Sequence, residues 1–410
     1  MPGGGSVRNQ DGAEPAQRRT TGAMALIALV LVVAIATTLA ATTVARAMTF
    51  TVAGPPAGPA GFTHEVRATG SFERGDTDQL AAVLQGLGGR DGGKAGEPRA
   101  LVSFDSKGGV LEEGIRMGRL LRQQGVASVV RVGHRCFSAC ALAFLGGTMF
   151  GPGGAEPNRR LEIGGQLGYH AFYATRDVDA RDAATSRARG VTEGRAMSAV
   201  IIAYVIEMGA EPGIVLRALI RAPGDMTFVE TAGEFSSLGI CPVALPVPRA
   251  ALAERVAHIC SNATEGQLPA WPDLIVEYTP TEARRLLLGQ VAHGAGQAKV
   301  RAGIADRLRQ VLKSGKGTDA LYIELAAAGL PLPVMREKAY HFELPGVAAG
   351  RTSCLVTLSP TDPSDYGVVL ITPAGVAAPR LAPPAGCPEL FLYGHDQVVN
   401  PRLLALADRD

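Results

Sequence analysis

Leu101-Val-Ser-Phe-Asp-Ser-Lys-Gly-Gly109 reads as a short apolar strand that runs into a tight glycine turn. Val110–Gln124 follows with the spacing of an amphipathic helix, and Ala127–Val132 is a second apolar strand. Cys136-Phe-Ser-Ala-Cys140 then opens a helix of small apolar residues that continues towards Gly147. Strand, helix, strand and helix in that order make a βαβ unit, so the fold class is α/β with a right-handed crossover. The unit puts two glycines after its first strand and a serine at a helix start after its second. A nucleophile beside an oxyanion site can be built from those parts, and so can an α/β binding domain without chemistry.

Outward from this unit, a globular region begins near Phe62. Glu65–Ala68 alternates as a strand does, and Asp76–Leu87 sets Leu80, Val83, Leu84 and Leu87 at helical spacing behind the cap candidate Asp76. Past the serine, Gly151–Asn158 reads as a loop and Gly168-Tyr-His-Ala-Phe172 as a strand. Met197–Met208 and Gly213–Arg221 read as helices, and Phe228–Leu238 as a strand, turn and helix. The run Val200–Met208 is too short to cross a membrane and reads as core. These elements bound a domain at 62–248. Residues 249–341 are expected to be helical, with Thr279 capping one helix, and 342–410 to form a small β-rich unit.

The chain has 410 residues and a formal net charge of +2, which gives no electrostatic reason for nucleic acid as a partner. Arg8, Arg18 and Arg19 precede an apolar run from Gly22 to Ala45 that holds neither charge nor proline. That length suits a spanning helix, and the basic flank keeps 1–21 cytoplasmic as a disordered tail. Residues 22–47 are therefore expected to be a single inner-membrane anchor, with a cleaved signal ending at Ala45-Arg-Ala47 as the competing reading. Either way, the linker 48–61 and everything beyond it lie in the periplasm or another extracytoplasmic space. Six cysteines fit such an oxidising compartment. Cys136 and Cys140 at a helix start stand about 6 Å apart, within disulfide reach. Cys354 with Cys387, and Cys241 with Cys260, are the remaining pairs suggested. Finger-like ligand spacing is missing around Cys136 and Cys140, so no metal and no cofactor is expected.

A serine hydroxyl is a weak nucleophile until a base takes its proton, and acyl transfer needs backbone N–H donors where the oxyanion forms. Ser138 would use the N–H groups of Ala139 and Gly109. Read alone, His170 on an apolar strand is a core histidine, and Asp225 in a Pro-Gly turn bonds its own backbone. Lys107 is a possible alternative base. Asp177, Asp179 and Asp182 stand in a charged, solvated stretch, while His134 and Arg135 lie on a strand-end loop.

Ser106-Lys-Gly-Gly-Val110 with Gly114 resembles the Ser-Pro-Gly-Gly turn of the ClpP/crotonase-like superfamily, and Cys136-Phe-Ser-Ala-Cys140 resembles the nucleophile segment of periplasmic ClpP-like proteins. His170 in Leu167-Gly-Tyr-His-Ala-Phe172 falls where that family carries its histidine. Asp225, ahead of Glu234-Phe-Ser-Ser-Leu-Gly239, is similar to the segment that bears the triad aspartate. The resemblance spans about 64–245. It implies a ClpP/crotonase-like βαβ spiral core and a Ser138, His170, Asp225 triad with an oxyanion hole at Gly109 and Ala139. It also implies a peptide or protein substrate and a possible homo-oligomer. Lys107 stands where the processive peptidases have proline, and the anchor and cysteines are foreign to those cytosolic barrels. The function expected is thus a membrane-anchored extracytoplasmic serine hydrolase, most simply a peptidase. The alternative is a non-catalytic scaffold on the same fold; an acyl-transfer enzyme ranks last, for want of an adenine or pantetheine pocket.

Overall fold

Alternating and continuous apolar runs build the first layer of a computed structural model that describes residues 47–55, 62–87, 100–151, 154–171, 183–222, 224–294, 297–342 and 352–401. The expected tail and the apolar run 22–45 lie outside these residues, and among the described ones no helix is long and apolar enough to cross a membrane. In chain order the first region contains β1 (Thr49–Ala53), β2 (His64–Thr69), α1 (Asp76–Gly86), β3 (Ala100–Asp105), α2 (Leu111–Gln124) and β4 (Ala127–Val130). Next come β5 (Arg135–Phe137), α3 (Ala139–Phe144), β6 (Thr148–Gly151), β7 (Gly154–Pro157), β8 (Arg159–Glu162) and β9 (Gln166–Tyr169). The region ends with α4 (Ala183–Glu207), α5 (Gly213–Leu219), β10 (Thr227–Phe228), α6 (Ala232–Ser237) and β11 (Ile240–Val243).

The main sheet runs β1-β2-β3-β4-β8-β11, parallel throughout except for β1. Its strand β3 is buried along nearly its whole length, as its mainly apolar sequence, interrupted by Ser103, suits a central parallel strand. A smaller sheet runs β10-β9-β5. The chain passes from β4 to β5 and from β8 to β9, so successive turns of chain feed both sheets. Strand β1 occupies part of the stretch that composition marks as a linker, and the β6–β7 hairpin occupies the glycine-rich stretch read as a loop.

Helices α2 and α3 meet through glycine. A Cβ on Gly114 would lie 2.3 Å from the Ala139 carbonyl oxygen, and one on Gly146 would lie 2.0 Å from the Gly118 oxygen. Arg159, 1% exposed, sits beneath the same layer. Its guanidinium donates to the carbonyls of Met208, just past α4, and Leu238, at the end of α6. Two helix C-termini thus share one cation, and burial pushes that guanidinium down to about 10.

The second region interleaves helix and strand. It comprises α7 (Leu252–Ala263), β12 (Ile275–Tyr278), α8 (Pro280–His293), α9 (Ala298–Ser314), α10 (Thr318–Ala327), β13 (Lys338–Phe342), β14 (Ser353–Leu358), β15 (Tyr366–Thr372) and β16 (Gly375–Ala377). Strands β12 to β16 form one antiparallel sheet in chain order. The helical span 249–341 and the β-rich span 342–410 are therefore not separate: β12 and β13 fall in the first and pair into the second. Leu355 and Val369 face α8–α10, while Cys354, Val356 and Leu370 face α7, the two-residue alternation of a sheet covered on both sides. Thr279 caps α8 through a reciprocal bond pair with Glu282.

All six cysteines are paired, Cys136 with Cys140, Cys241 with Cys387 and Cys260 with Cys354. The suggested pairs Cys354–Cys387 and Cys241–Cys260 are replaced because the tail leaves its own sheet. Leu390, Tyr393 and Val399 enter the core of the first region, and Val398 bridges to Thr231. Asn400 accepts from the Gly164 N–H and donates to the Gly165 carbonyl, both at 2.8 Å.

Since the Gly114 contact is with backbone, Gly114→Ala is expected to destabilise the protein by about 1–3 kcal/mol. The midpoint of urea unfolding measures this. An unchanged midpoint would mean that α2 and α3 do not pack through their glycines.

Candidate functional site

Strand β5 ends at Phe137 and α3 begins at Ala139, so the helix opens three residues later than Cys136, and Ser138 alone makes the corner. Its backbone stands at φ 57° and ψ −121°, a conformation that a residue with a Cβ rarely adopts. The Ser138 N–H donates to the Gly168 carbonyl at 3.0 Å, and its own carbonyl accepts from the Leu142 N–H. Its side chain is half-buried and does not cap α3. The hydroxyl makes no hydrogen bond among the described residues. The Cys136–Cys140 bridge spans the corner, with Cα atoms 5.1 Å apart.

The glycine turn lies against this corner. Ser106 bridges to Cys136 in parallel, and its hydroxyl accepts from the Gly108 N–H at 3.1 Å. Gly108, at φ 104°, has no room for a side chain, since a Cβ there would come within 2.7 Å of the Ser138 Cβ and 3.3 Å of the Ala139 nitrogen. Phe72 clamps the turn from the other side, donating to the Gly108 carbonyl at 2.9 Å and accepting from the Val110 N–H at 2.8 Å. The Gly109 N–H has no backbone acceptor among the described residues. The Ala139 N–H belongs to the first helical turn, whose amides have no partner within the helix. Two N–H groups without a backbone acceptor among the described residues, those of Gly109 and Ala139, thus belong to the turn and to the corner that pack together through Gly108.

Strands β5 and β9 pair in parallel with Phe137 opposite Gly168, so Ser138 and His170 leave the same edge of the small sheet. Strand β10 runs the other way, Thr227 opposite Tyr169, and carries Asp225 to that edge as well. His170 is half-buried, and its Nδ1 lies 2.7 Å from the Ala171 carbonyl oxygen. Asp225 is exposed; its N–H closes a turn onto the Ala222 carbonyl, and its carboxylate makes no hydrogen bond among the described residues. Common placement is therefore clear for all three residues, but no hydrogen bond joins Ser138, His170 and Asp225 to one another. Lys107 is exposed in the glycine turn. His134 lies before β5, at the opposite end of that strand, with its Nδ1 buried. The Arg135 N–H donates to Asp105. Asp177, Asp179 and Asp182 lie outside the described residues.

Two tyrosines tie the corner down and were not legible as site residues. The Tyr204 hydroxyl donates to the Leu142 carbonyl at 2.7 Å, and that of Tyr169, next to His170, donates to the Ala141 carbonyl at 3.4 Å. Burial raises both phenols well above their ordinary range, so each remains a donor. The cavity beside the Cys241–Cys387 bridge, lined by Arg160, Val243, Leu245 and Glu389, contains none of the site residues.

No protein-family model matches the chain, and no curated protein matches it. Among solved structures, a ClpP1 mutant from Listeria monocytogenes is 14% identical, with a TM-score of 0.28 over 41% of this chain and 84% of that one. A peptidase from Plasmodium falciparum is 9% identical, with a TM-score of 0.27 over 38% and 84%. Likenesses at TM-scores this low carry no argument, and the α/β architecture and its shared edge stand on the chain's own residues.

Proposed function

We propose that residues 47–248 form the core of a serine hydrolase that cleaves peptide bonds, with Ser138 as nucleophile and His170 as general base. One observation carries the reading: Ser138 holds a strained backbone at a strand-to-helix corner, its hydroxyl makes no hydrogen bond among the described residues, and the glycine turn packs against the corner. Strain of that kind is kept where a function needs it. The substrate carbonyl oxygen sits between the Gly109 and Ala139 amides, each donor being worth roughly 3–4 kcal/mol in the transition state. Ser138 Oγ bonds to the carbonyl carbon while its proton passes to His170 Nε2. The carbon–nitrogen bond then breaks, and the amine leaves with that proton. Water, activated by the same imidazole, releases the acyl group and restores the hydroxyl. Asp225 stands at the edge where the resemblance puts a triad acid. A non-catalytic binding domain is the second reading, favoured by the lack of a Ser138–His170 hydrogen bond, although such bonds often tighten only around substrate.

A fluorophosphonate probe tests the assignment. The parent protein is expected to label, and Ser138→Ala to lose the label; equal labelling of the two ends the nucleophile assignment and leaves the binding domain. The disulfide around the corner yields a second outcome. With Cys136→Ser and Cys140→Ser together, relaxation of about 1–3 kcal/mol of backbone strain should slow labelling roughly ten- to a hundredfold. An unchanged rate, at an unchanged unfolding midpoint, would mean that the bridge does not hold the serine.

Export beyond residue 47 belongs to the same proposal. The three disulfides support it, as does the uncharged run 22–45 behind basic residues. The full chain should sediment with membranes through an alkaline wash and a chain lacking residues 1–46 should not. Release of the full chain by the wash contradicts the anchor.

A further inference from the structure

We infer that the cavity beside the Cys241–Cys387 bridge is a thiol–disulfide exchange site, which takes a small zwitterionic thiol of the amino-acid class and holds it as a mixed disulfide on Cys241. The three bridges differ in access. Cys136, Cys140, Cys260 and Cys354 are each 0% exposed, whereas Cys241 is half-buried and Cys387 is 6% exposed. Both Cys241 and Cys387 line a cavity of about 260 Å³, which is room for a molecule of amino-acid size. Exchange needs an incoming thiolate to reach a disulfide sulfur, so access selects this bridge.

The cavity also carries uncompensated charge. Arg160 stands opposite Cys241 in the parallel pairing of β8 with β11, which sets the two side chains on one face of the sheet. Its guanidinium lies over the Phe62 ring, 5.5 Å from the centroid, and its Nε donates to Asn158 Oδ1 at 3.2 Å. No carboxylate pairs with it among the described residues, and burial lowers it below its ordinary range. Glu389, two residues after Cys387, lines the same cavity and is likewise without an ion pair among the described residues. A half-buried cation and anion left apart suit a ligand that carries both charges, its carboxylate on Arg160 and its ammonium on Glu389. An amino-acid thiol brings those two groups and the nucleophile together.

In the exchange the thiolate bonds to Cys241 Sγ, the bond between Cys241 and Cys387 breaks, and Cys387 leaves as a thiolate that takes a proton from water. Attack by Cys387 on the mixed disulfide expels the thiol again and restores the bridge, so no oxidant or reductant is consumed over the cycle. This bridge is the one that joins the first region to the second, and its exchange unfastens the tail at its covalent tie to β11.

The test exposes the folded full chain to cysteine or to cysteamine, which lacks the carboxylate, at equal thiolate concentration. N-ethylmaleimide traps the freed thiol, and peptide mass spectrometry locates the adduct. The first adduct is expected on Cys241 with maleimide on Cys387, and cysteine should react roughly tenfold faster than cysteamine. Arg160→Gln is expected to bring the two rates within about threefold of each other, with Cys241 still the adduct site. A first adduct on any other cysteine, or none while the chain stays folded, overturns the site. Equal parental rates for the two thiols, or a preference that survives Arg160→Gln, overturn the ligand class. The comparison of thiols needs only the parent, so it decides the matter even where the variant does not fold.

Discussion

Ser138 turns a strand into a helix within one residue, and the backbone angles that make the turn, φ 57° and ψ −121°, cost about 1–3 kcal/mol that neighbouring contacts must offset. Those contacts come from every side. Before the corner, Ser106 and Gly168 hold strand β5 in register; across it lies the Cys136–Cys140 bridge. After it, Tyr169 and Tyr204 fix the carbonyls of α3, and beneath it Gly114 lets α2 approach the Ala139 backbone. A conformation determined so many times over can persist against its own strain. Its consequence is that the serine hydroxyl makes no hydrogen bond among the described residues while the glycine turn packs against it.

The glycine turn and the corner constrain each other. Gly108 cannot carry a side chain because Ser138 occupies the space, and the turn is held from the opposite side by Phe72, which bonds Gly108 and Val110. The C-terminal region enters this arrangement from a distance. Asn400 grips the Gly164–Gly165 turn that leads into β9, the strand ending at His170, and the Cys241–Cys387 bridge holds the tail against β11. The second region is therefore a brace for the first and not an appended module.

Much of this could be read locally. The strand Ala100–Asp105, the glycine turn, the helix after it and the serine at the corner follow from apolar period and turn chemistry within a few residues. What escaped the sequence is non-local. Strand β5 is three residues long and exists through its pairing with β9, so local spacing alone starts the helix three residues early. The disulfide partners of Cys354 and Cys387 depend on where the tail docks, which no spacing encodes. Tyr204 acts on Leu142 from a helix 62 residues away. Arg159 looks like a surface strand residue until α4 and α6 close their carbonyl ends over it.

A crystal structure of the protein after reaction with a fluorophosphonate tests the central claim most directly, since the phosphonyl oxygen mimics the oxyanion. The account requires the phosphorus on Ser138 Oγ, its oxygen about 2.7–3.1 Å from the Gly109 and Ala139 nitrogens, and the corner unmoved. Phosphorus on a different residue, or an oxygen turned to solvent with both amides unbonded, would contradict it.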